Sequence, residues 1–290
     1  MKQEIKNIAY ELGACACGMV TAEVFSDLGC ALEKKGQVPM VNPDIQTRID
    51  PFLVLPDART IVVCLFSYYA GDEGRKGGNI SRYARGVDYH HVVGERLGKI
   101  ASFFTEQGYK AEYFSDNGPL NERYLALRAG LGFLGRNGFL IHPDYGTYTV
   151  IGYLVTNCPM EADQPMDRTC LECGACIRAC PGGALSETGF CAKRCASYLT
   201  QKKGELTAEE IVVIQRSGYA WGCDICQEVC PHNRGIKMTA LPEFREDLIS
   251  TLQIGEEMSA RQFRHKYQKR AFSWRGKATM LRNLQILKKE

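Results

Sequence analysis

Two groups of cysteines are the residues of this chain whose types and spacing point most directly to chemistry. In the first group the intervals are two, two and three residues and the last cysteine precedes a proline: Cys170, Cys173, Cys176, Cys180. The second group repeats the last two intervals and also ends before a proline: Cys223, Cys226, Cys230. Such a run supplies three thiolates to one iron–sulfur cubane and directs its fourth cysteine to another. The pair of motifs therefore predicts a ferredoxin-like module with two 4Fe-4S clusters.

The second group is one ligand short. Ala220 stands where its first cysteine is expected, and Cys191 and Cys195 both lie between the two groups, so that either would complete a set of eight. The assignment favoured here uses Cys195. It gives one cluster to the first four of the following cysteines and the other cluster to the last four: Cys170, Cys173, Cys176, Cys230, Cys180, Cys195, Cys223, Cys226.

Zinc and disulfide bonds are the alternative uses of these cysteines. Structural zinc is bound by two Cys-x-x-Cys pairs, or by such a pair with histidines, and does not need a third cysteine two residues further on. Disulfides are typical of secreted chains. The chain opens with Met-Lys-Gln-Glu and shows no apolar segment of a signal peptide. We therefore expect reduced cysteines and a cytoplasmic protein.

Composition and charge limit the possible partners. With 290 residues, 45% of them hydrophobic, the chain can form one large or two medium domains with a real core. No run approaches the roughly 18 to 20 apolar residues of a membrane span. The net charge is only +3, but ten of the 36 basic and one of the 33 acidic side chains lie in 261–290. A basic end on an acidic body suggests a polyanion such as RNA, and a solvated helix face explains the charge equally well.

The elements expected to position a site begin with a strand at 59–69. This continuous run of apolar, β-branched and aromatic residues is typical of a strand buried on both faces. A glycine-rich loop at 71–78 follows, and then a polar and aromatic loop from Ser81 to His91 leads into a helix at about 91–107. Loops held between a rigid strand and a rigid helix are frequent locations of functional sites.

A second set of elements follows the same order of strand, turn and helix. A strand is predicted at 110–114, a turn at 115–119 and a helix at 120–130. The inner face of this helix is predicted to consist of Leu120, Tyr124, Leu127 and Leu131. Spaced glycines then allow close approach of the backbone to a bulky ligand: Gly130, Gly132, Gly135, Gly138. Strands are predicted around 138–142 and 147–156.

The rest of the chain is read as the cysteine module and a basic end. The loop at 157–166 is the expected domain boundary, and a helix at 207–217 with a capped start at Thr207 is inserted between the cysteine groups. One or two basic helices close the chain and are docked by apolar residues: Phe263, Tyr267, Phe272, Trp274, Met280, Leu281, Leu284, Leu287. Four further cysteines are expected to pack in the core: Cys15, Cys17, Cys30, Cys64.

Several segments, in order along nearly the whole chain, resemble the epoxyqueuosine reductase family. They are 81–90, the Asp-x-Gly-Pro-Leu turn at 116–120, the glycine-rich 128–133, 194–200 and 226–233. The resemblance implies an α+β protein with three parts. These are an N-terminal α/β cobalamin-binding domain of the reductive-dehalogenase type (1–160), a two-cluster ferredoxin-like domain (161–240) and a basic helical tail (241–290). It also favours Cys195 as the eighth ligand.

The family resemblance further implies a reaction and its partners. Members reduce the epoxide of epoxyqueuosine at the tRNA wobble position to the alkene of queuosine, the last step of its biosynthesis, with cobalamin and two 4Fe-4S clusters. The expected partners are the tRNA anticodon stem-loop and a one-electron donor such as flavodoxin or ferredoxin, and the expected state is a monomer. Longer relatives continue into a helical-repeat domain that this sequence does not show, and the basic 261–289 segment is expected to compensate for it.

The resemblance also assigns site residues. Asp116 matches the general acid, although an aspartate before Asn-Gly-Pro is also good N-cap chemistry. Arg123 is expected to contact the substrate or a tRNA phosphate, and a surface salt bridge with Glu122 or Glu95 is the alternative. The remaining residues are expected at the cofactor and the pocket wall: Tyr83, Arg85, Asp88, Tyr89, Asn137, Leu140, Ile151, Ser197. His90 and His91 are expected to be structural rather than cobalt ligands.

Two other functions are compatible with these motifs. The first is a cobalamin and iron–sulfur reductase of another substrate, such as an organohalide. The second is a ferredoxin-type electron carrier with a structural N-terminal domain. A carrier has no need of some 160 residues of folded domain with a polar and aromatic pocket.

Overall fold

The computed structural model describes residues 1–35, 38–71, 78–116 and 118–288. Most of the predicted glycine-rich loop at 71–78 lies outside the described residues, as do Asn117 of the predicted turn and the last two residues of the basic end. Within the described residues, no helix has the length and apolar character needed to cross a membrane.

The chain forms two compact units that interleave along the sequence. Unit 1 comprises Met1–Ser67, His90–Gly135 and Phe139–Cys170, and unit 2 comprises Tyr68–Tyr89, Arg136–Gly138 and Leu171–Glu290. The sequence predicted three consecutive ranges instead. Two segments of the predicted first range pack within unit 2, and the predicted 241–290 range packs there as well. The reason is backbone pairing, because the N–H of Ile80 donates to Ser250 O and the N–H of Ser81 donates to Trp221 O.

Unit 1 is built on a four-stranded antiparallel sheet with the order β1-β2-β6-β3. Its strands are β1 (Ala16–Thr21), β2 (Thr60–Ser67), β3 (Ala111–Ser115) and β6 (Thr149–Thr156), and a short pair is formed by β4 (Phe133–Leu134) and β5 (Leu140–Ile141). Its helices are α1 (Lys2–Glu11), α2 (Ser26–Lys35), α3 (Ile45–Ile49), α4 (Tyr89–Glu106) and α5 (Glu122–Arg128).

The sheet explains why the apolar runs of unit 1 have no polar face. All eight residues of β2 are buried, because this strand lies between β1 and β6 and is covered on both faces. β6 is buried from Ile151 onwards, whereas the edge strand β3 exposes Glu112 and Tyr113. The strands predicted at 59–69 and 110–114 and the helix predicted at 91–107 are confirmed.

The short helix α5 differs from its prediction. It begins at Glu122, two residues later than expected, and its fully buried residues are Leu125 and Ala126. Tyr124 and Leu127 pack only at the edge of the core. The Tyr124 hydroxyl donates to the Asp27 carboxylate at 2.8 Å, which holds this ring at the edge of the core.

Unit 2 consists of short helices around its own apolar core. The helices are α6 (Ala175–Ala179), α7 (Ala196–Gln201), α8 (Ala208–Ser217), α9 (Ile225–Glu228), α10 (Ala260–Tyr267) and α11 (Gly276–Lys288), and β7 (Leu185–Ser186) pairs with β8 (Gly189–Phe190). The capped start of α8 is confirmed, since Thr207 and Glu210 form a complete capping box. Two basic helices close the chain, as predicted.

Most of the predicted docking residues of the basic helices are buried. The core they enter includes Trp221, Phe263, Phe272 and Met280. Leu281 and Leu287 are partly buried, and Trp274 has 55% of its surface exposed. Its ring lies 3.7 Å from the Arg275 guanidinium.

The four cysteines predicted to pack in the core differ in their burial. Cys17 and Cys64 face each other across β1 and β2, are buried, and have Sγ atoms 3.7 Å apart. Cys15, which immediately precedes β1, is partly buried. Cys30 is exposed on α2, so the packing prediction was wrong for this residue, whose position on the helix turns it to solvent.

Candidate active site

Asp116 lies immediately after β3 in an unusual backbone conformation. Its φ is +57°, a left-handed value that aspartate tolerates better than most residues. The N-cap alternative is wrong, because Asn121 caps α5 by accepting a hydrogen bond from the Tyr124 N–H. The side chain of Asp116 is 37% exposed, and its Oδ2 lies 3.4 Å from Nε2 of His90. A partly exposed carboxylate is thus held on a strained turn beside a histidine.

Gly118 and Tyr153 hold the turn after β3 against the sheet. The Tyr153 hydroxyl accepts a hydrogen bond of 3.0 Å from the Leu120 N–H. A Cβ at position 118 would overlap this hydroxyl and would lie 2.7 Å from Phe114 Cβ. The glycine is therefore required for the close approach of the turn to the sheet.

A group of charged side chains lies near Asp116 in unit 1. Burial, together with the negative charge of Asp116, raises the pKa of Glu122 to about 7. The positive charges of Arg123, His90 and Arg48 act in the opposite direction. Two acids and several bases therefore interact within one region, which is typical of sites that handle protons.

Arg123 is exposed on α5, and its positive charge acts to lower the pKa of both Glu122 and Arg48. The alternative partner Glu95 instead forms an ion pair of 2.9 Å with Lys99. This placement agrees with the expected substrate or phosphate contact, which stays a prediction.

In unit 2, the loop from Ser81 to Arg85 is tied to the second cysteine group by Asp224. Asp224, which follows Cys223 in the sequence, is fully buried. Its carboxylate accepts a hydrogen bond of 2.5 Å from the Ser81 hydroxyl and one of 2.7 Å from the Arg82 N–H. Burial raises the pKa of Asp224, whereas these two hydrogen bonds and the charge of Arg85 lower it. The loop is therefore locked to the segment that carries Cys223 and Cys226.

The other predicted residues of this loop are partly or fully buried and are held by separate contacts. Arg85 is buried and donates to Ile80 O at 2.8 Å. Tyr83 and Tyr89 pack edge to face with ring centroids 5.9 Å apart. The N–H of Asp88 donates to Lys269 O at 2.8 Å. Their place at the wall of a pocket stays a prediction.

The four remaining predicted contact residues are placed differently from one another. The Asn137 amide is buried and lies 3.4 Å from Cys226 O. Ser197 is in the first turn of α7, next to Cys195. Leu140 and Ile151 are buried in the core of unit 1. Their roles at a cofactor stay predictions.

Four cysteines interact electrostatically in unit 2, and they are the four assigned to the second cluster. Burial raises the pKa of Cys226 well above its ordinary value, and the thiolates of Cys223, Cys195 and Cys180 raise it further. The charge of Cys180 likewise raises the pKa of Cys223 and of Cys195. Within the described residues, no three His, Cys, Asp or Glu side chains converge on a single-ion site. A cubane instead distributes its thiolates over the corners of a cluster.

Backbone N–H groups point at several of these sulfurs. The Ala184 N–H lies 3.2 Å from Cys180 Sγ. The N–H groups of Ser197 and Tyr198 lower the pKa of Cys195, which caps α7. Such N–H to sulfur bonds tune cluster potentials.

Cys191 is the alternative candidate for the eighth ligand. It is exposed, and its N–H donates to Ala184 O at 2.8 Å. Among the four cysteines assigned to the first cluster, Cys176 and Cys230 are buried, Cys173 is exposed and Cys170 is partly exposed. Cys176 lies on α6, which packs against α9.

Sequence reasoning missed three residues of these sites. Asp224 carried a signal, because a charged residue between two ligand cysteines must find buried partners. Asn283 is fully buried, and its amide donates to Thr200 O and Ala220 O at 2.7 and 2.8 Å, so it joins α11 to the cysteine region. Glu122 was considered only as a salt-bridge partner, and its burial depends on the tertiary structure.

The outer face of α10 forms a basic surface, called here the α10 basic face: Arg261, Arg264, His265, Lys266. All four are exposed, whereas Phe263 and Tyr267 on the opposite face are buried. Three of them line a groove of about 490 Å³ with Glu257, Met258 and Gln262. Among the described residues, Arg261 and Arg264 form no ion pair.

Two family models match parts of the chain, and individual relatives match nearly all of it. The family "Epoxyqueuosine reductase QueG, DUF1730" matches residues 48–117, and the family "4Fe-4S double cluster binding domain" matches residues 169–233. An epoxyqueuosine reductase of Staphylococcus aureus is 35% identical over 98% of this chain and 78% of its own length. One of Cellulophaga algicola is 32% identical over 98% of this chain and 97% of its own length.

Solved structures show the same fold. An epoxyqueuosine reductase with a tRNA-Tyr epoxyqueuosine-modified stem loop is 33% identical, with a TM-score of 0.91 over 99% of this chain and 80% of that chain. A Bacillus subtilis epoxyqueuosine reductase, whose catalytic aspartate loop is swung out of its active site, is 31% identical. Its TM-score is 0.86 over 99% of this chain and 80% of that chain. A reductive dehalogenase shares the fold at 21% identity, with a TM-score of 0.51 over 81% of this chain and 32% of that chain.

The fold and the double-cluster segment define an iron–sulfur oxidoreductase. The cysteine motifs supply one-electron carriers, and the four-stranded unit presents an acidic and basic site. Relatives more than 30% identical along nearly the full chain then decide the family. The chain belongs to the epoxyqueuosine reductase family.

Proposed function

We propose that this chain reduces the epoxide of epoxyqueuosine at the tRNA wobble position to the alkene of queuosine, with two 4Fe-4S clusters and cobalamin. The observation that carries the proposal is the position of Asp116. Its carboxylate is partly exposed, its backbone is in the left-handed conformation, and it does not cap α5, because Asn121 does so. A simple electron carrier does not need such a group. The organohalide alternative is not favoured, because the reductive dehalogenase likeness extends to the fold alone.

The residues of unit 2 fit both cofactors. Four mutually interacting cysteines with N–H groups on their sulfurs suit a cubane. The Tyr83 and Tyr89 pair, tied through Ser81 and Asp224 to the cysteine segment, suits the flat apolar body and polar rim of a corrin. Cobalamin, when bound, supplies the cobalt chemistry that passes electrons from the clusters to the epoxide.

The proposed roles of the side chains follow from their chemistry. Asp116 donates a proton to the epoxide oxygen as the first C–O bond breaks, so that the ring opens to a hydroxyl rather than to an alkoxide. Arg123, exposed near the start of α5, binds a phosphate or ribose oxygen of the tRNA. Asn137 and Ser197 contact the cofactor close to Cys226 and Cys195, and Leu140 and Ile151 hold the backbone that lines it.

The proposed reaction is tested on tRNA isolated from a strain that lacks the reductase. Anaerobically reconstituted protein with cobalamin and a reduced flavodoxin or ferredoxin is expected to convert epoxyqueuosine to queuosine, measured by mass spectrometry of the nucleosides. Asp116→Asn is expected to abolish conversion and to leave iron and cobalamin bound. Unchanged epoxyqueuosine with the wild type would refute the function, and full turnover by Asp116→Asn would refute the role of Asp116.

The eight cluster ligands are tested by paired substitutions. Cys195→Ser is expected to lower the iron content from about eight to about four per chain, since each cubane holds four irons. Cys191→Ser is the matched control, and it is expected to retain all the iron. The opposite pattern would move the eighth ligand to Cys191.

The α10 basic face is proposed to bind tRNA phosphates. Arg261, Arg264 and Lys266 are exposed on one side of α10, and an RNA backbone offers the complementary charge. Replacing all three by alanine is expected to weaken tRNA binding and to reduce the slope of log Kd against log salt by about 2 to 3. A control that replaces Lys34, Lys99 and Lys110 in unit 1 removes the same charge and is expected to leave the slope unchanged. Equal slopes in both variants would exclude the α10 basic face.

The remaining partners belong to the same proposal. A one-electron donor such as flavodoxin or ferredoxin suits clusters that pass single electrons. The chain is proposed to act as a monomer in the cytoplasm, where tRNA is its substrate. Light scattering of the reconstituted protein, alone and with the donor, measures the oligomeric state.

A further inference from the structure

The reaction needs more protons than one carboxylic acid can supply. Converting an epoxide to an alkene consumes two electrons and two protons and releases the oxygen as water. The first proton accompanies opening of the ring to a hydroxyl, and the second accompanies departure of that hydroxyl. Asp116 carries one proton, so a second one must reach the site within each turnover.

His90 is the side chain placed to supply it. Its Nε2 lies 3.4 Å from Asp116 Oδ2, and both side chains are 37% exposed. His90 is the second residue of α4, and Asp116 directly follows β3, so regular elements of unit 1 hold the two groups together. Hydrogen bonds of catalytic groups are often this long before substrate binds and shorten in the complex.

The surroundings of the pair suit proton transfer between the two groups. Glu122 on α5 interacts electrostatically with both members of the pair, and Arg123 on α5 and Arg48 on α3 act in turn on Glu122. Burial favours the neutral acid form of Glu122, which limits its competition for the histidine proton. Partial exposure lets His90 exchange protons with water, and histidine is the side chain that ordinarily titrates near neutral pH.

We infer that His90 is the positioning residue that returns a proton to Asp116 between the two proton transfers. The imidazolium gives the proton on Nε2 to Oδ2 of the Asp116 carboxylate, and the neutral imidazole then recovers a proton from water. No electron is transferred in this step. The inference rests on the proposed function, because it assigns the second proton of that reaction.

Three variants separate proton supply from a structural role. His90→Gln keeps a hydrogen-bond donor but does not titrate, and His90→Ala removes the side chain. His91→Gln changes an adjacent exposed histidine and is the matched control. Iron content and the cobalamin absorption spectrum are measured for each variant, so that misfolded protein is recognised.

The readouts are the single-turnover rate of queuosine formation from pH 5.5 to 8.5 and its recovery with added imidazole. Both His90 variants are expected to lose about 10²-fold in rate, the lower end of the effect of general acid catalysis. Both are also expected to lose the limb of the pH profile due to histidine. Imidazole is expected to restore His90→Ala, and His91→Gln is expected to match the wild type. A His90→Gln enzyme with the rate and pH profile of the wild type would overturn the inference.

A second measurement does not depend on turnover. The histidine ring signals are titrated by NMR in the wild type and in Asp116→Asn, with the signal of His90 assigned from its absence in His90→Gln. Loss of the neighbouring negative charge is expected to lower the pKa of His90 by about half a unit or more. A pKa that does not move would overturn the inference even if the wild type formed no queuosine, and that latter result would refute the proposed function separately.

Discussion

Glu122 gives the most quantitative prediction for this protein. Burial, assisted by the charge of Asp116, raises the pKa of its carboxyl from 4.5 to about 7. The folded state therefore holds this proton more tightly than the unfolded state does between these two pH values. Stability that depends on neutral Glu122 is complete below pH 4.5, and it is lost as the pH rises towards 7.

The size of this effect follows from the two pKa values. Each unit corresponds to about 1.4 kcal/mol, so the whole difference corresponds to ~3 kcal/mol. Part of the residue remains exposed, and solvent screening reduces the expected effect to ~2 kcal/mol. Glu122→Gln is neutral at every pH and avoids this loss. For a protein of this size, the variant is expected to gain roughly 4 to 8 °C in Tm relative to the wild type between pH 5 and pH 8.

The assay is anaerobic scanning calorimetry of both proteins at several pH values and one scan rate. Only the difference between the two Tm values is used at each pH, so that other titrating groups cancel. Glu95→Gln is the control, because Glu95 is exposed and pairs with Lys99, and Lys99 lowers its pKa. If the difference for Glu122→Gln stayed constant from pH 5 to pH 8, Glu122 would be an ordinary ionised carboxylate and the reasoning would fail.

Three substitutions test how the sites are held in place. Asn121→Ala removes the cap of α5 and is expected to lower the free energy of unfolding by about 1 kcal/mol and to slow turnover. Asn121→Ser keeps the cap and is the control. Equal Tm values for the two variants would refute this expectation. Gly118→Ala is expected to disturb the contact with Tyr153 and to lower turnover with iron content unchanged, and wild-type activity would show that the turn adapts. Asn283→Ala leaves the buried carbonyls of Thr200 and Ala220 without their donor. It is expected to cost roughly 1 to 3 kcal/mol and to hasten iron loss in chelator, and an unchanged rate of iron loss would argue against its support of the cysteine region.

Local patterns predicted the secondary structure well where the signal was strong. The apolar run of β2 and the capping box of α8 carry their own physical causes, namely burial on both faces and reciprocal hydrogen bonds. The start of α5 was less predictable, because Asp116 and Asn121 are both good capping residues and only the path of the turn decides between them.

The sequence by itself determined the cysteine spacings and the one-electron chemistry they imply, since these depend only on residue type and interval. It restricted the eighth ligand to two candidates, Cys191 and Cys195. The tertiary structure alone decided which distant groups meet. It placed His90 beside Asp116, enclosed Glu122, and used Asp224 to join the loop at Ser81 to the second cysteine group. Such contacts join residues far apart along the chain, and no local periodicity encodes them, because they form only when strands and helices pack.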